Sequence, residues 1–311
     1  MTTEIAGTKR RWGSVVRIGL TVVICLVAAA GIYVRSLTKS RATPPPALPV
    51  PNGYDDLVRA GKKLQGEIPN VGKLQQAEIG PIRDWVALNA EAIQLGRSAL
   101  ERESRVPLVY SQDVSEHLDR GSACRQLARA ITAEGELALV EGRPDDAGRI
   151  FLDVARLGPS AGRGGLLIDG LIGVAVERTG LDGLSRSRKG MSREALRRAI
   201  ASLREIDANR DSFADMRNQE TYWFEHTFPL HTRLMVKVSG AMEKLNAPAY
   251  KSADGALGLV KIMNRQLMVD LATQLYVLDH KSEPAQPSDL VPDYLTELPK
   301  NPTTGDPITA K

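Results

Sequence analysis

Two cysteines and four histidines in 311 residues leave little material for disulfide or metal chemistry. Cys25 falls in a long apolar run and Cys124 in the polar remainder. An internal disulfide is excluded on that placement, so the chain must be held by an apolar core, for which its length is ample. The histidines are His117, His226, His231 and His280. None has the spacing that sets two ligands on one helix face; His226 and His231 diverge by about 140° at 3.6 residues per turn. Glu225 beside His226 gives no metalloprotease arrangement. The small-residue stretch from Gly158 to Gly165 lacks the Lys-Ser or Lys-Thr end of a phosphate loop. The sequence therefore calls for no cofactor and no catalytic group.

An excess of positive charge is equally absent outside one end. The chain is +4 overall, residues 1–42 hold seven Lys or Arg against Glu4 alone and are +6, and the rest is −2. A nearly neutral body lacks the surface that neutralises phosphates, which removes a nucleic-acid partner.

What is present begins with the apolar run Ser14 to Val34, bracketed by Lys9, Arg10 and Arg11 and by Arg35, Lys39 and Arg41. As a helix, its uninterrupted part rises about 25 Å, and the flanks extend it to the thickness of a bilayer's hydrocarbon. Trp12 and Tyr33 suit the two interfaces, and Arg17 can snorkel. The reading is a single-pass anchor in a bacterial inner membrane, with residues 1–13 cytoplasmic, a transmembrane helix at 14–34 and the body extracytoplasmic. A cleaved secretory signal is the alternative, since Ala28, Ala29, Ala30 and Gly31 suit a peptidase; the run is longer than such signals usually are. Pro44, Pro45, Pro46, Pro49 and Pro51 then forbid a helix and predict a polyproline stalk over 35–52, standing the body some 30 Å off the membrane.

Residues 53–285 read as a mainly α domain. Leu57, Val58 and Leu64 open a first helix, and Trp85, Leu88, Ala92, Ile93 and Leu95 mark a second region. Leu127, Ile131 and Leu137 to Val140 form one apolar helix; Gly142, Arg143 and Pro144 turn the chain; Ile150, Phe151, Val154 and Leu157 begin the return. Gly164 to Leu184 is the most apolar part of the body, but Asp169 interrupts it and Glu177 ends it after a length typical of a buried core helix rather than a second span. Gly165, Gly170 and Gly173 permit close helix approach. Ser192 caps a helix bearing Leu196, Ile200 and Leu203. Helix continues from about Ser212 to Leu245, broken at Pro229.

Gly135, Gly142, Ala147, Phe151 and Pro159 resemble the small, turn, small, aromatic and closing-proline positions of one tetratricopeptide repeat. The segment from Asp289 to Pro302, with Leu290, Val291, Tyr294 and Leu295 as a docking turn and Pro299, Pro302 and Pro307 beyond it, is similar to the tail of type II secretion pseudopilins. It predicts an extended tail over 286–311. Ile18 stands where their processing site has glutamate, so pilus assembly is not implied. Together with the apolar helix at 167–173, these features look like an uncharacterised family of membrane-anchored bacterial envelope proteins, which implies an architecture but no activity.

Two contact sites are expected. Glu220, Tyr222, Trp223 and His226 lie in the one dense aromatic group of the chain, with Phe224 and Phe228; buried packing of one helix is the plainer reading of such spacing. Arg186, Arg188, Lys189 and Arg193 are candidates for an anionic surface, against the plainer reading of a solvated helix end. The sequence thus leads to a non-enzymatic scaffold with another envelope protein as partner. An exported hydrolase using Glu220, Glu225 and His226, and a secretion-apparatus subunit, are the alternatives.

Overall fold

The computed structural model describes residues 27–28, 42–69 and 79–310. The anchor reading, apart from Val27 and Ala28, lies outside them. Among the described residues no helix is long and apolar enough to cross a membrane, so the segment from Gly164 to Leu184 is not a second span.

The described chain is mainly helical: α1 Gly53–Lys63, α2 Ile79–Leu88, α3 Ala90–Leu100, α4 Ser115–Val140, α5 Pro144–Gly162, α6 Leu167–Ser187, α7 Arg193–Ala208, α8 Phe213–Thr227, α9 Leu230–Ser239 and α10 Ala241–His280. The centre is the hairpin of α4 and α5. Gly142 adopts φ +72°, the Arg143 N–H reaches the Ala138 carbonyl at 2.9 Å and the Gly142 N–H that of Leu139 at 3.1 Å. This Schellman turn satisfies the last carbonyls of α4, and Pro144 at the first position of α5 has no N–H to leave unpaired. Of the five repeat-like residues, Gly135 and Phe151 meet: a Cβ at Gly135 would be 2.8 Å from the ring. Pro159, read as a closing residue, does not close the helix, which continues to Gly162.

α6 returns along α5 through a seam of glycines. A Cβ at Gly173 would lie 2.5 Å from the Gly158 carbonyl oxygen, and one at Gly180 2.4 Å from the Ala155 nitrogen. The apolar composition of α6 serves this backbone-to-backbone approach, not a bilayer. Ser192 caps α7 by accepting the Ala195 N–H at 3.2 Å, and Leu196, Ile200 and Leu203 are buried as their spacing predicts. The C-terminal half of α10 packs on α6 and α7, contributing Leu267, Val269, Leu271, Ala272 and Leu275 to the same core. α1, tied by Asn52, packs on α3 and α4. The Asn52 side chain accepts the N–H groups of Tyr54 and Arg105 and donates to the Arg105 carbonyl at 2.8 Å. Leu88, read as apolar periodicity, is 58% exposed beside the break at Asn89.

Two expectations about the ends change. Residues 42–52 precede α1 without helix, yet they lie on the body instead of standing it off. The Thr43 N–H donates to Asn218 Oδ1 at 2.9 Å, and Asn218 Nδ2 donates back to the Thr43 carbonyl at 3.0 Å. The tail is anchored by buried Leu290 and Leu295, as predicted. Beyond Pro299 it is not simply extended: Lys300 bridges Pro307, and Ile308 returns to the core. Arg265 donates to the Lys300 carbonyl and Gln266 to that of Thr309, at 2.5 and 2.7 Å, fixing the loop to α10.

Candidate contact surface

Ser212 starts α8 with a reciprocal cap, its Oγ accepting the Asp215 N–H at 3.1 Å while Asp215 Oδ2 accepts the Ser212 N–H at 2.9 Å. One side of α8 meets α6, where Gly170 leaves room for Met216. The helix therefore divides its ionisable and aromatic residues among three environments.

Glu220 points inward, accepting the Leu167 N–H at 2.8 Å at the start of α6. Burial holds its carboxyl above the ordinary range, the Leu167 N–H works against this, and neighbouring Asp169 raises it further. Asp169 is itself 1% exposed and accepts both the Leu166 N–H at 2.8 Å and His117 Nε2 at 2.6 Å. With a carboxylate as acceptor, Nε2 is the protonated nitrogen. The first turn of α6 is thus capped by two carboxylates, where unpaired N–H groups and the helix dipole favour negative charge. The His117 side chain is 6% exposed, so the imidazole is buried with its carboxylate partner.

Tyr222 and His226 take the outer side. Their rings stack at 3.9 Å between centroids, and Tyr110, from the loop between α3 and α4, stands 6.1 Å from Tyr222 and 5.8 Å from His226. Tyr110 is 43% exposed and His226 is exposed. Trp223 holds the loop in place, its Nε1 donating to the Val109 carbonyl at 2.8 Å. The same loop, with Pro45, Pro46 and Leu48 of the docked N-terminal segment, lines a shallow cavity of about 190 Å³ beside Tyr110. Phe224 is buried, as the packing reading requires, and rests 5.0 Å from Phe228.

Glu225 belongs to neither group. Its side chain is 2% exposed and receives Lys237 Nζ of α9 at 2.9 Å. Glu220, Glu225 and His226 therefore face different neighbours and do not converge on one cavity, which removes the best acid and base candidates of the hydrolase reading. Among the described residues no group of three or more His, Cys, Asp or Glu is placed to hold a metal ion. Cys124 is fully buried, and burial pushes its thiol up to about 12.

The basic group is drawn into ion pairs. Arg186 makes a two-armed contact with Glu136, which raises its affinity for the proton, and lies over the Phe151 ring at 5.6 Å. Arg188 reaches Asp270 at 2.6 Å, and Arg193 reaches Asp279 at 2.7 Å and the Leu278 carbonyl at 2.6 Å. Those hydrogen bonds pull Asp279 below the usual carboxylate range. Lys189 is exposed beside them. The charge that an anionic surface would need is largely spent on tying α6 to α4 and the approach to α7 to α10.

Sequence reading missed two buried pairs. His117 with Asp169, and Glu177 with Arg210, join residues far apart in the chain; the second pair is two-armed, with side chains 1% and 8% exposed. The available signal was an acid inside an apolar helix, as at Asp169 and Glu177, since such a group needs a partner. No family model, curated protein or solved structure matches the chain.

Proposed function

We propose that this chain is a single-pass envelope protein whose extracytoplasmic helical body is a non-enzymatic interaction module. The observation that carries the reading is the ring group of exposed Tyr110 and His226 and half-buried Tyr222 beside the proline-lined cavity. Large rings with polar tips, held by Trp223 and by ring stacking, provide contact area at small entropic cost to a partner. Supporting it, Glu220, Glu225, Arg186, Arg188 and Arg193 are used in a cap and in ion pairs. The apolar run at 14–34 with its basic flanks supplies the tether, and the partner is another envelope protein.

The test places a benzoylphenylalanine photo-cross-linker at position 222, or at exposed Glu194 on α7, in the full-length chain in intact cells. One discrete adduct from position 222, absent from position 194 and lost when Tyr110 is changed to Ala, supports the proposal. Equal adduct patterns from both positions would sink it.

A further inference from the structure

In the helical arm formed by α9 and the first half of α10, α9 is inside out. α9 turns its charged residues toward the body: Lys237 pairs with the buried Glu225 carboxylate at 2.9 Å, and Arg233 Nη1 donates to the Glu225 carbonyl at 2.7 Å. Its outer side, at i, i+4 and i+7, carries His231, Met235 and Val238, the last two 71% and 64% exposed. None of its residues is buried. Gly240, at φ +61°, then breaks the chain into α10, which buries Ala253, Leu257 and Val260 and leaves Leu245 77% and Leu259 63% exposed, with small residues between. A helix on a globular surface ordinarily does the reverse of α9, burying its apolar stripe. Four large apolar side chains left exposed on one arm mark an interaction site.

Chain length says what covers it. Asn218, which clasps Thr43, is adjacent to Arg217, whose guanidinium lies 5.0 Å over the Tyr250 ring of α10. Phe213 meets the same ring at 6.1 Å. The N-terminal segment thus joins the body at the base of the arm. From Val34, the end of the apolar run, to Thr43 the backbone spans at most about 30 Å even fully extended. If residues 14–34 cross a bilayer, that bilayer's surface is within reach of the arm. Lys244 and Lys251 are exposed on one flank of the α10 face, where phosphate headgroups would meet them.

We infer that the arm lies on the bilayer, its Met235, Val238, Leu245 and Leu259 face sunk among headgroups and upper acyl chains. This deepens the proposed function and rests on its tether. The body would then have two attachments, the tether and the arm, and its orientation would be fixed, presenting Tyr110 and Tyr222 at a set height. Two membrane attachments act together because the first raises the effective concentration of the second.

The test uses the full-length chain with Cys25→Ser, reconstituted in phosphatidylcholine and phosphatidylglycerol vesicles. Buried Cys124 stays unlabelled. A bimane probe is attached at Met235→Cys, Leu245→Cys or, as a control on α7, Glu194→Cys, and quenched by lipid bearing a nitroxide near the headgroup. Several-fold stronger quenching at 235 and 245 than at 194 is the expected result. Val238→Glu should abolish it at 235 with helix content unchanged. A chain that floats with the vesicles but shows equal quenching at all three positions overturns the inference and leaves the tether standing. Quenching by a nitroxide on a second copy, but not by the lipid, overturns it in favour of self-association. A chain that fails to float overturns the tether and the inference together.

Discussion

Replacing Gly180 by Ala is the sharpest test of the α5–α6 seam, because helix propensity and packing demand opposite signs. In an unobstructed helix the change stabilises by up to about 1 kcal/mol. At Gly180 the new Cβ would lie 2.4 Å from the Ala155 nitrogen and 2.7 Å from the Phe151 carbonyl oxygen, both backbone atoms that no rotamer change can move. An ordinary contact begins near 3.4 Å, so the two helices must separate locally by as much as an ångström. Overpacking of this kind costs about 3 kcal/mol at the upper end of its usual range. Subtracting the propensity gain leaves a net loss of about 2 kcal/mol, or roughly 4–8 °C in Tm for a domain of this size. Gly255 on α10, with nothing within 4 Å of its Cβ position, is the matched control. Thermal and urea unfolding of the detergent-solubilised chain, followed by circular dichroism at 222 nm, should lower the midpoint for Gly180→Ala and raise it for Gly255→Ala. Equal stabilisation by both would refute the close approach of α5 and α6.

Glu220 supplies a pH test. Burial raises its folded affinity for the proton above the unfolded value, so the folded state binds more protons through that window and stability falls as pH rises through it. Glu220→Gln keeps an oxygen acceptor for the Leu167 N–H; its Tm should exceed that of the parent at pH 8 and match it at pH 4, as read by parallel melts. For the buried pair, Glu177→Ala leaves the Arg210 guanidinium uncompensated and should cost about 3–5 kcal/mol, whereas Glu177→Leu with Arg210→Met should recover most of it in urea unfolding. Asn218→Ala removes both bonds to Thr43, so limited proteolysis should cut residues 42–50 faster while the Tm of the body shifts by less than about 1 kcal/mol would produce.

Periodicity and punctuation made the hairpin of α4 and α5, the cap of α7 and the docking of Leu290 and Leu295 legible before any coordinates. Each is decided within a few residues: Gly142 and Pro144 are the turn, and Ser192 is the cap. The aromatic group was visible for the same reason, although its division into Glu220 inward, Trp223 on the loop and Tyr222 with His226 outward was not. That division depends on which neighbours surround α8. Tyr110, more than a hundred residues earlier in the chain, completes the surface and carried no local signal.

The sequence by itself determined that this protein is helical, nearly neutral beyond its N-terminal segment, and broken at its glycines and prolines, because those properties follow from residue type and spacing. Only the tertiary structure decided where charge and apolar surface ended up. The basic residues near 186–193 were drawn onto Glu136, Asp270 and Asp279, and the proline segment was laid on α8 by Asn218. α9 was turned so that Glu225 holds Lys237 while Met235 and Val238 face outward. A buried carboxylate must find a cation, and which cation it finds is set by packing between distant helices, a pairing that no local pattern encodes.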